Sequence, residues 1–197
     1  MDVPGGGAVS YPGKQPMAEL DADTLQWARD QVARYADRRG DYIVFADTLQ
    51  QVLLHAAAVY APLAIVQVRA KATPSFAEKI LRKRAKYRDP VEDLTDLCGG
   101  RIIVHTEEQV IKICRFLEEH FEIDEANSEN VGTRLRASEF GYQSVHYIVT
   151  FKPGVFPRRN FPVEVPEMLY RMPNARGEVQ VRTMLQHAWA DIGHDLL

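Results

Sequence analysis

Glu178-Val179-Gln180-Val181-Arg182-Thr183, running on as Met184-Leu185-Gln186-His187-Ala188-Trp189, is the stretch that decides how this chain is read. Its alternation is strict, so Val179 and Val181 fall on one face of a strand while Glu178, Gln180 and Arg182 fall on the other. A carboxylate, an amide and a guanidinium in a row on one sheet face suit a bound ion and a phosphate better than plain solvent, which such surfaces usually meet with β-branched and aromatic residues. Six residues alone also allow an ordinary antiparallel strand with a wet face.

Working outward, the chain has 197 residues, 46% hydrophobic and 26% charged, which fits one globular domain, alone or with a small appendage, large enough for a sizeable core. No run approaches the roughly 20 apolar residues that span a bilayer, and the N-terminus lacks a basic-then-apolar signal. The expectation is a cytoplasmic protein with no membrane partner. Two cysteines, Cys98 and Cys114, cannot build a disulfide framework, and no Cys/His spacing points to zinc. The net charge of -3 conceals a basic window. From Arg69 to Arg88 there are eight basic residues and one acid, a local +7, so the rest of the chain carries -10. That asymmetry points to a localised anionic ligand rather than to extended nucleic acid, although a basic solvated helix face has the same composition.

Residues 1–18 are rich in Gly and Pro and read as a mobile tail; 19–61 read as an N-terminal helical segment of two helices. The first starts at Asp23 as N-cap and stops at Gly40; the second carries Phe45, Leu49, Val52, Leu53 and Ala56 on its buried stripe and ends near Pro62. Leu63 to Val68 reads as a buried strand that delivers Arg69 and Lys71. A helix then runs from Ser75 to Tyr87; its N-terminus beside those cations suits an anion, while the helix taken alone reads first as a plain basic surface helix. Asp89-Pro90 opens a helical turn carrying Asp93 and Asp96 before a break at Gly99-Gly100, and a strand follows from Arg101 to Val104. Thr106 with Gln109 forms a capping box for a helix reaching Phe121. Phe121 to Ile123 begins a strand, and Gly141 to Phe151 another, with Tyr142, Ser144 and His146 on one face. Lys152 to Arg176, with five prolines, reads as a long irregular excursion: a lid, a partner surface or a disordered loop. The last helix is still amphipathic where the sequence stops, as expected of a piece of a longer protein.

Four pieces in this order, Arg69-x-Lys71-x-x-x-Ser75-x-x-x-Lys79, Asp96-Leu-Cys-Gly-Gly-Arg101, Gly141-Tyr142-Gln-Ser-Val-His146 and Glu178-Val-Gln-Val-Arg-Thr183, resemble the synthetase domain of the RelA/SpoT family over residues 62–197. The resemblance implies a nucleotidyltransferase-like mixed β-sheet flanked by helices, of α/β (α+β) class. It implies transfer of pyrophosphate from ATP to the 3′-hydroxyl of GTP or GDP, making pppGpp or ppGpp and releasing AMP. In such a GTP pyrophosphokinase Asp96 and Glu178 would be catalytic and would hold Mg²⁺, the cofactor, and Glu178 would also accept the hydroxyl proton. Arg69 and Arg101 would sandwich the adenine; Lys71, Ser75 and Lys79 would bind the ATP phosphates. Tyr142 would stack on the acceptor guanine, His146 would lie against an acceptor phosphate or the transferring group, Arg134 and Arg136 would meet acceptor phosphates, and Gln180 and Arg182 would complete the wall. A homo-oligomer is compatible with the family.

The family often places a basic residue closely followed by Asn-Gly before the Tyr. This chain reads Arg134-Leu-Arg136-Ala-Ser-Glu139-Phe140-Gly141 instead, and Glu139 brings a like charge towards the acceptor phosphates. The acceptor therefore stays open between a guanosine nucleotide and the tRNA 3′ end or adenosine nucleotide used by toxic relatives. A non-catalytic nucleotide-sensing module is a third reading, disfavoured because both metal carboxylates and both adenine arginines are present. The hydrolase half of long family members is not in this sequence: His194-Asp195 stands alone, with no partner histidine pattern.

Overall fold

The computed structural model describes residues 21–129 and 144–195. Five strands, β1 (Ile65–Ala70), β2 (Cys98–Val104), β3 (Phe121–Ile123), β4 (Val145–Phe151) and β5 (Gly177–Thr183), form one sheet of order β1-β2-β5-β4-β3. β2 and β5 run parallel and every other neighbouring pair is antiparallel. Around it lie α1 (Ala22–Tyr60), α2 (Thr73–Arg82), α3 (Pro90–Asp93), α4 (Glu107–His120), α5 (Glu167–Arg171) and α6 (Met184–Asp195). The fold is thus the mixed sheet with flanking helices expected from the sequence.

Alternation decides the faces. Val68, Gly100, Val179 and Tyr147 stand side by side across four strands, as do Val66, Ile102, Val181 and Val145. This apolar face packs against α1 and α4; Val179 and Val181 are fully buried. Gly177, at the start of β5, belongs to the same close packing. A Cβ there would lie 2.9 Å from Cε1 of Phe45, a ring that is itself buried and packed on Phe151. Gly177→Ala is expected to lower stability by about 1–3 kcal/mol, the usual cost of overpacking a core, read as a shift in the denaturant midpoint at unchanged slope.

The N-terminal segment differs from expectation. Instead of two helices broken at Gly40 there is one helix of 39 residues. Gly in a helix interior costs only about 1 kcal/mol relative to Ala, and the buried series Ala28, Tyr35, Tyr42, Phe45, Leu49, Val52, Ala56 crosses Gly40 without losing its helical phase. Its cap is Asp21, not Asp23: Asp21 accepts from the Thr24 N–H at 2.7 Å. By length and composition α1 could cross a membrane, with an 18-residue window of mean hydropathy 1.3, but half of that window is buried inside the fold. Its apolar side is a core-facing stripe.

Other boundaries shift by a few residues. β1 includes Arg69, and α2 starts at Thr73 and ends at Arg82 rather than Tyr87. Gly99-Gly100 is no break but lies inside β2. Thr106 and Gln109 do form the capping box of α4, and an unforeseen pair, Thr183 and Gln186, exchanges the same two hydrogen bonds at the start of α6. The 152–176 excursion is not disordered. Phe156 and Phe161 bury their rings among Phe116, His120 and Phe121, and α5 adds a buried Leu169. Cys98 and Cys114 are buried free thiols; burial pushes Cys114 up to about 12.

Candidate functional site

The second face of the sheet carries the polar residues, and the register sets them in rows. Gln67, Arg101, Gln180 and His146 stand side by side on β1, β2, β5 and β4; Arg69, Gly99 and Glu178 form the next row. Above these rows opens a cavity of about 520 Å³ lined by Gln67, Arg69, Lys71, Ser75, Asp96, Gly99, Arg101, Glu178 and Gln180, among others. Seven residues that the sequence singled out therefore share one space: Arg69, Lys71, Ser75, Asp96, Arg101, Glu178 and Gln180. A Cβ on Gly99 would touch nothing within 4 Å. The missing side chain leaves the floor open between Arg69 and Glu178.

Lys71 is fixed from two sides. Its N–H donates to the Leu97 carbonyl at 2.8 Å, and its own carbonyl accepts from the Tyr35 hydroxyl at 2.7 Å and from Arg39 Nε at 3.1 Å. The long helix α1 thus holds the strand end that presents Lys71, a role no local pattern in 19–61 announces. α2 begins beside it with no side-chain cap, so the free N–H groups of its first turn, where Ser75 lies, border the cavity.

Lys71 Nζ and Lys79 Nζ both donate to Oδ2 of Asp96, at 2.8 and 2.6 Å. Burial pushes the Asp96 carboxyl up, but the hydrogen bonds and charges of the two lysines outweigh it and hold the group below the usual carboxylate range. Glu178 is also held low, first by its hydrogen bond with His146, against burial and with help from Gln180; the nearby Asp96 charge pushes the other way. Two donors meet on Glu178 Oε1: Gln180 Nε2 at 2.8 Å and His146 Nδ1 at 2.9 Å. Ser144 Oγ lies 2.6 Å from the other ring nitrogen of His146.

The two carboxylates fit a divalent ion. Asp96 Oδ1 is buried with no hydrogen-bond partner, Glu178 keeps its second oxygen clear of both donors, and the two groups repel each other through space. No group of three or more His, Cys, Asp or Glu side chains among the described residues could form a metal cage. A pair of carboxylates completed by phosphate oxygens and water is the habit of Mg²⁺ rather than of Zn²⁺.

Three of the expected site residues stand off the cavity wall. Lys79 reaches the site through Asp96, and His146 through Glu178. Arg182 is only 7% exposed and donates to Gln180 Oε1; it stands one row further along β5, beside Ile103, and does not line the cavity. Arg134, Arg136 and Tyr142 lie outside the described residues, as do the 1–18 tail and the side chains of His194 and Asp195. Sequence reasoning missed Gln67, whose alternation with Arg69 on β1 carried the signal, and Tyr35 and Arg39, for which no signal exists.

A mixed sheet thus gathers cations, the N-terminus of α2 and two carboxylates around one cavity. The chain belongs to the RelA/SpoT family: the family model described as a region found in RelA / SpoT proteins matches residues 68–197. No curated protein matches the sequence. Among solved structures it is similar to a GTP pyrophosphokinase family protein from Streptococcus pneumoniae, with 24% identity, a TM-score of 0.52 and coverage of 87% of this chain and 76% of that one. It is also similar to the small alarmone synthetase 1 from Bacillus subtilis, with 22% identity, a TM-score of 0.53 and coverage of 87% and 78%. At these identities the likeness establishes the shared fold.

Proposed function

We propose that this chain is a pyrophosphokinase that moves the β,γ-pyrophosphate of ATP to the 3′-hydroxyl of GTP or GDP, releasing AMP. The observation that carries this reading is the convergence of Arg69, Lys71, Ser75, Asp96, Arg101 and Glu178 on one cavity in a chain of the RelA/SpoT family. Transfer of this kind is mostly positioning and charge neutralisation, and the cavity has parts for both.

Arg69 and Arg101, on neighbouring strands, would grip adenine by stacking, which planar guanidinium groups do well. Lys71, Lys79 and the open N-terminus of α2 would take the phosphates. Asp96 and Glu178 would hold Mg²⁺, which when bound neutralises phosphate charge and polarises the transferring group. Glu178, with Oε1 engaged by Gln180 and His146, would offer Oε2 to the acceptor hydroxyl and take its proton. Tyr142, Arg134 and Arg136 are assigned to the acceptor by family resemblance.

Labelled ATP incubated separately with GTP, GDP, ATP and tRNA tests the reading: label should pass to GTP and GDP with AMP released. Transfer to tRNA alone would replace the acceptor, and no transfer to any of the four would reject the enzyme assignment. In the same assay Arg69→Ala and Arg101→Ala are expected to raise the apparent KM for ATP by about one decade, equivalent to about 1.4 kcal/mol, with that for GTP little changed. Selective loss of GTP binding would refute the donor-site assignment.

A further inference from the structure

Arg182 is a buried guanidinium with little to compensate it. Its Nε has no hydrogen-bond partner, and a neutral amide oxygen, Gln180 Oε1, receives its Nη2–H. Burial and the charge of Arg101 both push this guanidinium down, against the pull of Asp191 and Glu178. Taking a charge out of water is costly, and one neutral amide oxygen offsets that cost only in part, so the presence of this cation calls for a role other than holding the fold together.

The role follows from what each group can donate. A guanidinium has no acceptor and an ionised carboxylate has no donor. Gln180, between them on the same strand face, has one stable orientation, with Oε1 towards Arg182 and Nε2 towards Glu178 Oε1 at 2.8 Å. Turning the amide over would set N–H against N–H and oxygen against oxygen. His146 Nδ1 supplies the second bond to that oxygen at 2.9 Å.

We propose that Arg182 is a positioning residue that acts through Gln180 to pin Glu178 Oε1, so that Oε2 is the oxygen turned to the reacting groups. The consequence for catalysis rests on the pyrophosphokinase reading; the orientation of the amide does not. Removing an orienting partner of this kind costs typically 10–100-fold in activity at metal sites.

Three variants test it: Arg182→Met, Gln180→Leu and the double variant. Each single change is expected to lower kcat by about 10- to 100-fold with the KM for ATP within about twofold, and Arg182→Met is expected to keep or raise the melting temperature. Because both act through one chain, the double variant should be no slower than the slower single one. Arg182→Lys, which retains a charged donor, should recover part of the loss, and it serves in place of Arg182→Met should that variant not fold. Independently of turnover, the side-chain amide protons of Gln180, assigned by their disappearance in Gln180→Leu, should exchange slowly in the native protein and faster in Arg182→Met. Native-like kcat in Arg182→Met, or losses that multiply in the double variant, would overturn the catalytic role. Unchanged amide exchange would overturn the orientation itself. A native protein that transfers to no acceptor sinks the pyrophosphokinase reading, while the exchange measurement still decides the orientation.

Discussion

Glu178→Gln is expected to abolish transfer while leaving nucleotide binding largely intact. The change keeps shape and size and removes the charge, and with it both the proton acceptor and half of the pair that would hold the metal. General-base and electrostatic contributions are each typically worth 10²-fold or more, so a residual rate on the order of a thousandth of native is expected. The surroundings should survive, since His146 and Gln180 can still donate to the remaining amide oxygen. Single-turnover kinetics beside equilibrium binding of a non-hydrolysable ATP analogue separate the two effects. A variant retaining more than about a tenth of native turnover would remove Glu178 from the centre of the reaction.

Asp96→Asn should also cut the rate severely and, unlike Glu178→Gln, should change nucleotide binding. It removes the charge that Lys71 and Lys79 both contact and the buried oxygen that fits the ion. Metal-dependent transfer is expected to fall by about 10²-fold or more. Nucleotide measured without metal should bind more tightly than to the native protein, because two ammonium groups lose their carboxylate. Calorimetry with ATP in the presence of a chelator reads this directly. Weaker metal-free binding in Asp96→Asn would mean that the lysines serve the carboxylate rather than the phosphates.

What the sequence announced and what it concealed divide along physical lines. The alternation of Glu178 to Thr183 and the capping box at Thr106 are local signals, and both hold in the structure. Gly40 is also a local signal, and it misleads, because the packing of Tyr35, Tyr42 and Phe45 on one continuous stripe overrides a small intrinsic cost. Gly99-Gly100 misleads in the same way: a glycine pair reads as a chain break, yet here one glycine opens the cavity floor and the other lets Val68 pack close. The five prolines of 152–176 hid an aromatic core segment, since composition does not say which rings meet. Family resemblance gathered most of the cavity residues, but not the contacts between them. Tyr35 reaches the carbonyl of Lys71 across 36 positions, and Asp96 meets Lys71 and Lys79 across 25 and 17. Pairs that distant leave no periodicity to find. The buried place of Arg182 was concealed as well, because alternation assigns a face and not a depth.

The shared contact of Lys71 and Lys79 with one oxygen of Asp96 has a bearing on what the cavity admits. A divalent ion arriving alone meets Oδ1 of Asp96 beside two ammonium groups seated on Oδ2, which oppose its charge and gain nothing from it. A bare polyphosphate must draw both lysines away from a carboxylate that is then left stranded with no counter-ion. When ion and polyphosphate arrive as one body, the carboxylate trades two cations for another and the lysines trade one anion for another, so no charge is orphaned at any stage. Under the proposed function the cavity would therefore favour the chelate over stray phosphate or loose metal, and its selectivity would reside in an exchange of partners rather than in shape.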